Sequence, residues 1–281
     1  MSYKTLLVHA DESRHMPGRI DLAARLAIQH DAHLVGAAAT ALPSGFYLPG
    51  VLGDGGVTVT ASLDYLRERA KGTMMEFEAI VQKAGVNSYE PRIVEDEAGA
   101  GLCLQARYSD LVILSQTDPE EDLPALRGNF PEYVVMNCGK PVLVVPYAGE
   151  FRQIGKRALV AWDASAEATR AVSAAIPFLK QAELTQVVVF DSKSRRAAHG
   201  EQPGADIALF LSRHGIKVEV SQQTKPDDID IGNALLSYAA DFGADLLVMG
   251  CYGHSRFREV LLGGVTKTIL QSMTVPVLMV H

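Results

Sequence analysis

Residues 244–280 read ADLLVMGCYGHSRFREVLLGGVTKTILQSMTVPVLMV, and the order of events along them decides the fold. An apolar run at 245–249 gives way to Gly250 and Gly253. A polar stretch follows, then Gly263 and Gly264 open an amphipathic segment, and a second apolar run closes at 276–280. Short uninterrupted apolar runs around a segment of helical period describe strand, loop, helix and strand, the unit of a parallel sheet covered on both faces. The same unit stands 135 residues earlier, with DLVIL at 110–114 against DLLVM at 245–249 and PVLVV at 141–145 against PVLMV at 276–280. The starts of the halves also correspond, LLVHADES at 6–13 against ALVAWDAS at 158–165, offset by 152. The chain therefore reads as a diverged internal repeat, joined by a linker at Pro146 to Lys156.

Each half alternates strands and helices. The second half has apolar runs at 157–162, 186–190, 216–220, 245–249 and 276–280, with helices expected over Ser165–Leu179, Ile231–Phe242 and Gly264–Met273. On the first of these helices Ala168, Ala171, Val172, Ala175, Ile176 and Leu179 form one stripe. The first half predicts strands near 4–9, 33–39, 89–94, 110–114 and 141–145, and Pro91 marks the third as an edge strand. Residues 41–60, with five glycines and two prolines, read as a long irregular connection, mobile or packed between domains. The expectation is an α/β protein with two tandem, doubly wound, open parallel sheets.

Composition narrows the function. The 281 residues suggest two domains at roughly 150 residues each. A formal charge of 26 − 33 = −7 argues against a broadly basic nucleic-acid surface, and Arg195 and Arg196 read as a solvated loop. Three dispersed cysteines form no disulfide framework and suit a reduced, cytoplasmic protein. Neither a signal peptide nor a membrane-spanning run is read in the sequence.

Three enzymatic signatures fail. The turn after the strand at 157–162 reads WDASAEATR and lacks the glycines of a dinucleotide fingerprint. GGVTKT at 263–268 lacks P-loop spacing, and no G-x-S-x-G elbow occurs. What remains is the glycine-spaced segment 250–266. Glycines let a ligand approach the backbone, and the free N–H groups at Gly264–Lys267 favour an anion, with Thr266, Arg256 and Arg258 as further donors. The alternative is a tight turn at Gly250 and Gly253 with Gly263 ending a segment. Other residues also have plain structural readings. Asp163 can cap its helix, Trp162 can belong to the core, Cys251 and His254 supply only two metal ligands, and His30 and His33 can offset a helix dipole.

On LVAWDAS at 159–165, VVVFD at 187–191, the segment 244–270 and the terminal PVLMV, the chain resembles a tandem universal stress protein. Nucleotide-binding members of that family carry G-x2-G-x9-G-[ST]; Gly250, Gly253 and Gly263 match, and Gly264 stands in place of the Ser or Thr. The resemblance implies an adenine-nucleotide alpha hydrolase-like fold of strand order 3-2-1-4-5, two such domains pairing through their fifth strands. It implies ATP-type binding by Ala161, Trp162 and Asp163, with contacts from Met249, Gly250, Gly253, Gly263, Gly264, Val265 and Thr266, and Phe190 near the adenine.

The first half departs from that pattern. Ser115, Asp118 and Glu121 stand opposite Gly250, Gly253 and Arg256, and Pro131 stands opposite Thr266. The formal charge is 1 − 4 = −3 across 115–128 and 2 − 1 = +1 across 250–263. Asp118, Glu120, Glu121 and Asp122 read as an exposed acidic loop without a role, in preference to a cation site. The leading expectation is a stress-response sensor or adaptor that holds ATP (or AMP or ADP, with or without Mg²⁺) in the domain 155–281 only, beside a degenerate domain 1–147. Its expected partners are the nucleotide, an unidentified protein, and its own other domain or a second chain in a homodimer. Slow ATP hydrolysis, phosphate transfer by an enzyme, and a nucleotide-free structural partner are the alternatives, and no general base or metal set is evident for chemistry.

Overall fold

A computed structural model describes residues 2–40, 56–121, 129–190, 202–224, 228–252 and 264–281, with only the backbone path of 56–63. The chain divides into two compact units, Tyr3–Lys140 and Pro141–His281.

The N-terminal unit runs β1 (Thr5–His9), α1 (Met16–His30), β2 (His33–Ala39), α2 (Gly56–Ala84), β3 (Tyr89–Val94), α3 (Ala98–Ala106), β4 (Leu111–Ser115) and α4 (Phe130–Asn137). Its strands are parallel in the order β3-β2-β1-β4, so β3 lies at the edge, where Pro91 opposite Gly36 costs least. Leu6 to Val8 and Leu111 to Leu114 are buried to the last percent, as central parallel strands require. Gly36 has a packing reason. A Cβ there would stand 2.6 Å from the ring of Phe77, which α2 supplies. Of the expected irregular connection, residues 56–60 are helical and open α2, while 41–55 lie outside the described residues. His30 closes the last turn of α1. It is buried against the Tyr3 ring, and burial lowers its pKa. His33 belongs to β2, its Nδ1 2.7 Å from Ser88 Oγ.

The C-terminal unit runs β5 (Val142–Val145), β6 (Arg157–Ala161), α5 (Ala166–Leu179), β7 (Leu184–Phe190), α6 (Ala205–Arg213), β8 (Val218–Gln223), α7 (Ile231–Phe242), β9 (Leu246–Gly250), α8 (Gly264–Ser272) and β10 (Val277–Val280). Strands β8-β7-β6-β9-β10 are parallel neighbours, which in order of appearance is 3-2-1-4-5. β5 belongs to this unit because it pairs antiparallel with β10, Val277↔Val144 to Met279↔Val142. The stripe expected on α5 is the buried face observed. Among the described residues no helix is long and apolar enough to cross a membrane. Cys103, Cys138 and Cys251 are free thiols, and burial pushes Cys103 up to about 12.

One carboxylate per unit anchors the first strand from below. Asp245 accepts the backbone N–H groups of Gly155, Lys156 and Arg157 at 2.9–3.0 Å. Asp110, 135 residues earlier, accepts those of Lys4 and Thr5 at 2.6 and 3.0 Å. Both aspartates open the repeated DL dipeptide, so the repeat carries a local structural purpose at the end opposite the candidate site.

Candidate functional site

In the C-terminal unit the sheet reverses at β6, which has β7 on one side and β9 on the other. Open α/β sheets place ligands at the carboxyl ends of the strands beside such a reversal. Ala161 ends β6 and is half-buried, and the Trp162 N–H donates to Val188 O at 3.0 Å. The half-buried Trp162 thus continues the strand rather than filling the core. Asp163 is exposed, and its Oδ1 accepts the Ser165 N–H at 3.0 Å across Ala164, whose φ is +60°. The helix cap is Ser165, not Asp163, because Ser165 Oγ accepts the Ala168 N–H at 3.1 Å. That leaves Asp163 at the mouth of the strand ends.

Phe190 closes β7 half-buried, and Met249 and Gly250 close β9, so six of the expected residues share one end of three adjacent strands. Gly250 is shaped by protein. A Cβ there would meet Ala168 N at 2.4 Å and the Glu167 carbonyl carbon at 2.5 Å, so glycine lets the first turn of α5 rest on β9. Gly264 begins α8 exposed, with nothing within 4 Å of where a Cβ would stand, while Val265 is half-buried and Thr266 buried. Gly253, Gly263, His254, Arg256 and Arg258 lie outside the described residues, as do Arg195 and Arg196. Cys251 is buried and its N–H donates to Val280 O.

The matching end of the N-terminal unit keeps the turn and loses the opening. The Ala10 N–H donates to Ala37 O at 2.8 Å, and Asp11 Oδ1 accepts the Ser13 N–H at 3.0 Å, as in the other unit. Here, however, Arg19 of α1 enters from below with its side chain 1% exposed. Its Nη2 lies 2.9 Å from Asp11 Oδ1, its Nε donates to His9 O at 2.8 Å, and its Nη1 donates to Ser115 Oγ. His9 Nδ1 is 3.2 Å from the second Asp11 oxygen. Burial alone would raise the Asp11 pKa; the Arg19 charge, with His9 and Ser13, outweighs it and holds the carboxyl well below the usual carboxylate range.

The loop after β4 departs from its expected exposure. Asp118 is buried, its side chain 1% exposed, because partners from the β1–α1 turn cover it. Arg14 Nε donates to Asp118 Oδ2 at 3.1 Å, His15 Nε2 lies 2.7 Å from the same oxygen, and the Glu120 N–H donates to Oδ1 at 2.9 Å. Burial disfavours the charge, yet the His15 and Arg14 hydrogen bonds prevail and hold Asp118 at about 2. Glu121 accepts the Arg14 backbone N–H at 2.7 Å. Beside this turn, Glu12, Ser13, Arg69, Gly72, Thr73 and Glu76 line a cavity of about 360 Å³.

Arg14, His15 and Arg19 went unmarked in the sequence. Arg19 left a usable signal, since it shares the buried face of α1 with Met16, Ile20, Ala23 and Leu26.

The family model of the universal stress proteins matches residues 155–281. This half of the chain is a universal stress protein domain. The likeness reaches further at lower identity: the universal stress protein Slr1230 of Synechocystis is 26% identical over 218 residues, covering 75% of this chain and 71% of the relative. A universal stress protein from Archaeoglobus fulgidus superimposes with a TM-score of 0.74 at 16% identity, covering 98% of this chain and 95% of that one. A functionally unknown protein, PA1789 of Pseudomonas aeruginosa, gives 0.61 at 14% identity over 99% and 92%. The universal stress protein fold thus extends over both halves, and the two ends described above are its variants.

Proposed function

We propose that this universal stress protein binds an adenine nucleotide, ATP or its AMP or ADP relatives, in the domain 155–281 only. In this reading it acts as a cytoplasmic stress-response sensor or adaptor, with 1–147 as a degenerate partner domain. The observation that carries this reading is the different fate of two equivalent aspartates. Asp163 is exposed at the sheet reversal, whereas Asp11 is consumed by a buried arginine. The base would lie between Trp162 and Phe190, whose half-buried rings offer stacking faces. Asp163 would accept from the ribose. The phosphates would approach the first turn of α8, where Gly264 leaves the backbone open and the helix dipole favours an anion. The charge of 2 − 1 = +1 across 250–263, against 1 − 4 = −3 across 115–128, supports the choice of unit. In this reading the role of the nucleotide is occupancy, with Mg²⁺ arriving on the phosphates if at all.

Calorimetric titration with an ATP analogue, together with nucleotide analysis of the denatured, freshly purified protein, tests the proposal. Saturation at one nucleotide per chain is expected. Asp163→Ala should weaken binding by about tenfold or more, the worth of one charge-assisted hydrogen bond, and Asp11→Ala should leave the affinity unchanged. Two equivalent sites, or equal losses in the two variants, would overturn it.

A further inference from the structure

The N-terminal unit gathers three metal-ligating side chains from two loops. His15 Nε2, a carboxylate oxygen of Asp118 and one of Glu121 all lie within 4.8 Å of one another. We propose that His15, Asp118 and Glu121 bind one divalent transition-metal ion of the zinc, manganese or cobalt class.

The donor set selects the class. One imidazole nitrogen with two carboxylate oxygens suits borderline first-row ions, whereas calcium and magnesium prefer oxygen alone. The local charge points the same way. Asp118, Glu120 and Glu121 outnumber Arg14, so the turn carries an excess of negative charge for a cation to offset. Asp118 is covered, whereas His15 and Glu121 are half-buried, so the ion would have protein on one side and water on the other. That arrangement leaves open coordination positions. Arg14 is the resident competitor. Its guanidinium holds Asp118 Oδ2, the oxygen facing His15, but its side chain is 55% exposed and has water to move into. Metal entry exchanges one cation for another on the same oxygen, without requiring a buried charge to appear.

The competition fixes an unusual sign. Untagged full-length protein, titrated with Zn²⁺ by calorimetry and with Co²⁺ by visible absorption, should bind one ion per chain with a d–d band of nitrogen–oxygen coordination. His15→Ala removes a ligand and should cost about 100-fold in affinity, at or beyond the upper end of what losing an outer-shell partner costs. Glu121→Gln should also weaken binding. Arg14→Gln should tighten it, which a static ion-pair network would not do. Unchanged binding in His15→Ala would show an adventitious ion only and overturn the site. Binding by Arg14→Gln with none by the native chain would overturn it as well, since Arg14 then fills the position permanently. Nucleotide stoichiometry is independent of all these outcomes.

Discussion

The two strand ends share a backbone and differ in what closes them. In both units a residue past the first strand donates to the second strand, and an aspartate then folds back onto a serine N–H at 3.0 Å. In the C-terminal unit the helix beneath offers Ala171, and Asp163 is exposed. In the N-terminal unit the corresponding position is Arg19, and Asp11 faces a guanidinium. The comparison teaches that the turn comes with the fold, whereas the opening depends on one side chain a helical turn or two away.

The largest expected effect lies on that side chain. Arg19→Ala leaves Asp11 buried without its cation and should destabilise the N-terminal unit by about 3–5 kcal/mol. Asp163→Ala, on an exposed group, should stay within about 0.5 kcal/mol. Urea unfolding followed by circular dichroism checks both. Equal costs would break the comparison.

Acid sharpens it. Asp11 is held below the ordinary range, so the stability it contributes is complete above its unfolded value of about 4 and is lost as the pH falls further. Trp162, the only tryptophan, reports on the C-terminal unit. Below about pH 4 circular dichroism should therefore show loss of structure before Trp162 fluorescence changes. Simultaneous transitions would show that Asp11 does not set the order.

Gly250→Ala places a methyl 2.4 Å from Ala168 N and must push α5 off β9, at about 1–3 kcal/mol by thermal unfolding. The matching change, Ser115→Ala, adds no atom, and its cost is confined to a bond to Arg19, about 1 kcal/mol. The smallest effect belongs to the caps. Ser165→Ala should cost about 1 kcal/mol, whereas α1 has no side-chain cap hydrogen bond at His15 to lose.

Most of the fold was legible. Apolar runs of four to seven residues mark the strands because central parallel strands are dry on both faces, and Pro91 named its edge. The α5 stripe and the repeat offset were equally direct. Which residues meet at the strand ends was legible where the meeting is local, at Ala161–Asp163 and at Gly250, since consecutive residues share a strand end. It was not legible where partners are distant in sequence. Asp118 reads as one more exposed acid until Arg14 and His15, more than 100 residues away, cover it. Arg19 lies on the buried face of α1, but its partners Ser115 and Asp11 show only in the fold. A charge is buried only by agreement with its partner, and that agreement is tertiary.

The Arg19–Asp11 pair also bears on how the halves diverged. Once a guanidinium is sealed against a carboxylate, removing it strands the carboxylate as an unpaired buried charge. Asp11 already matches Asp163, so regaining the opening needs only a change at Arg19, but that step passes through a chain that folds poorly. The pair is therefore a ratchet. It lets the N-terminal copy move away from its twin and closes the road back.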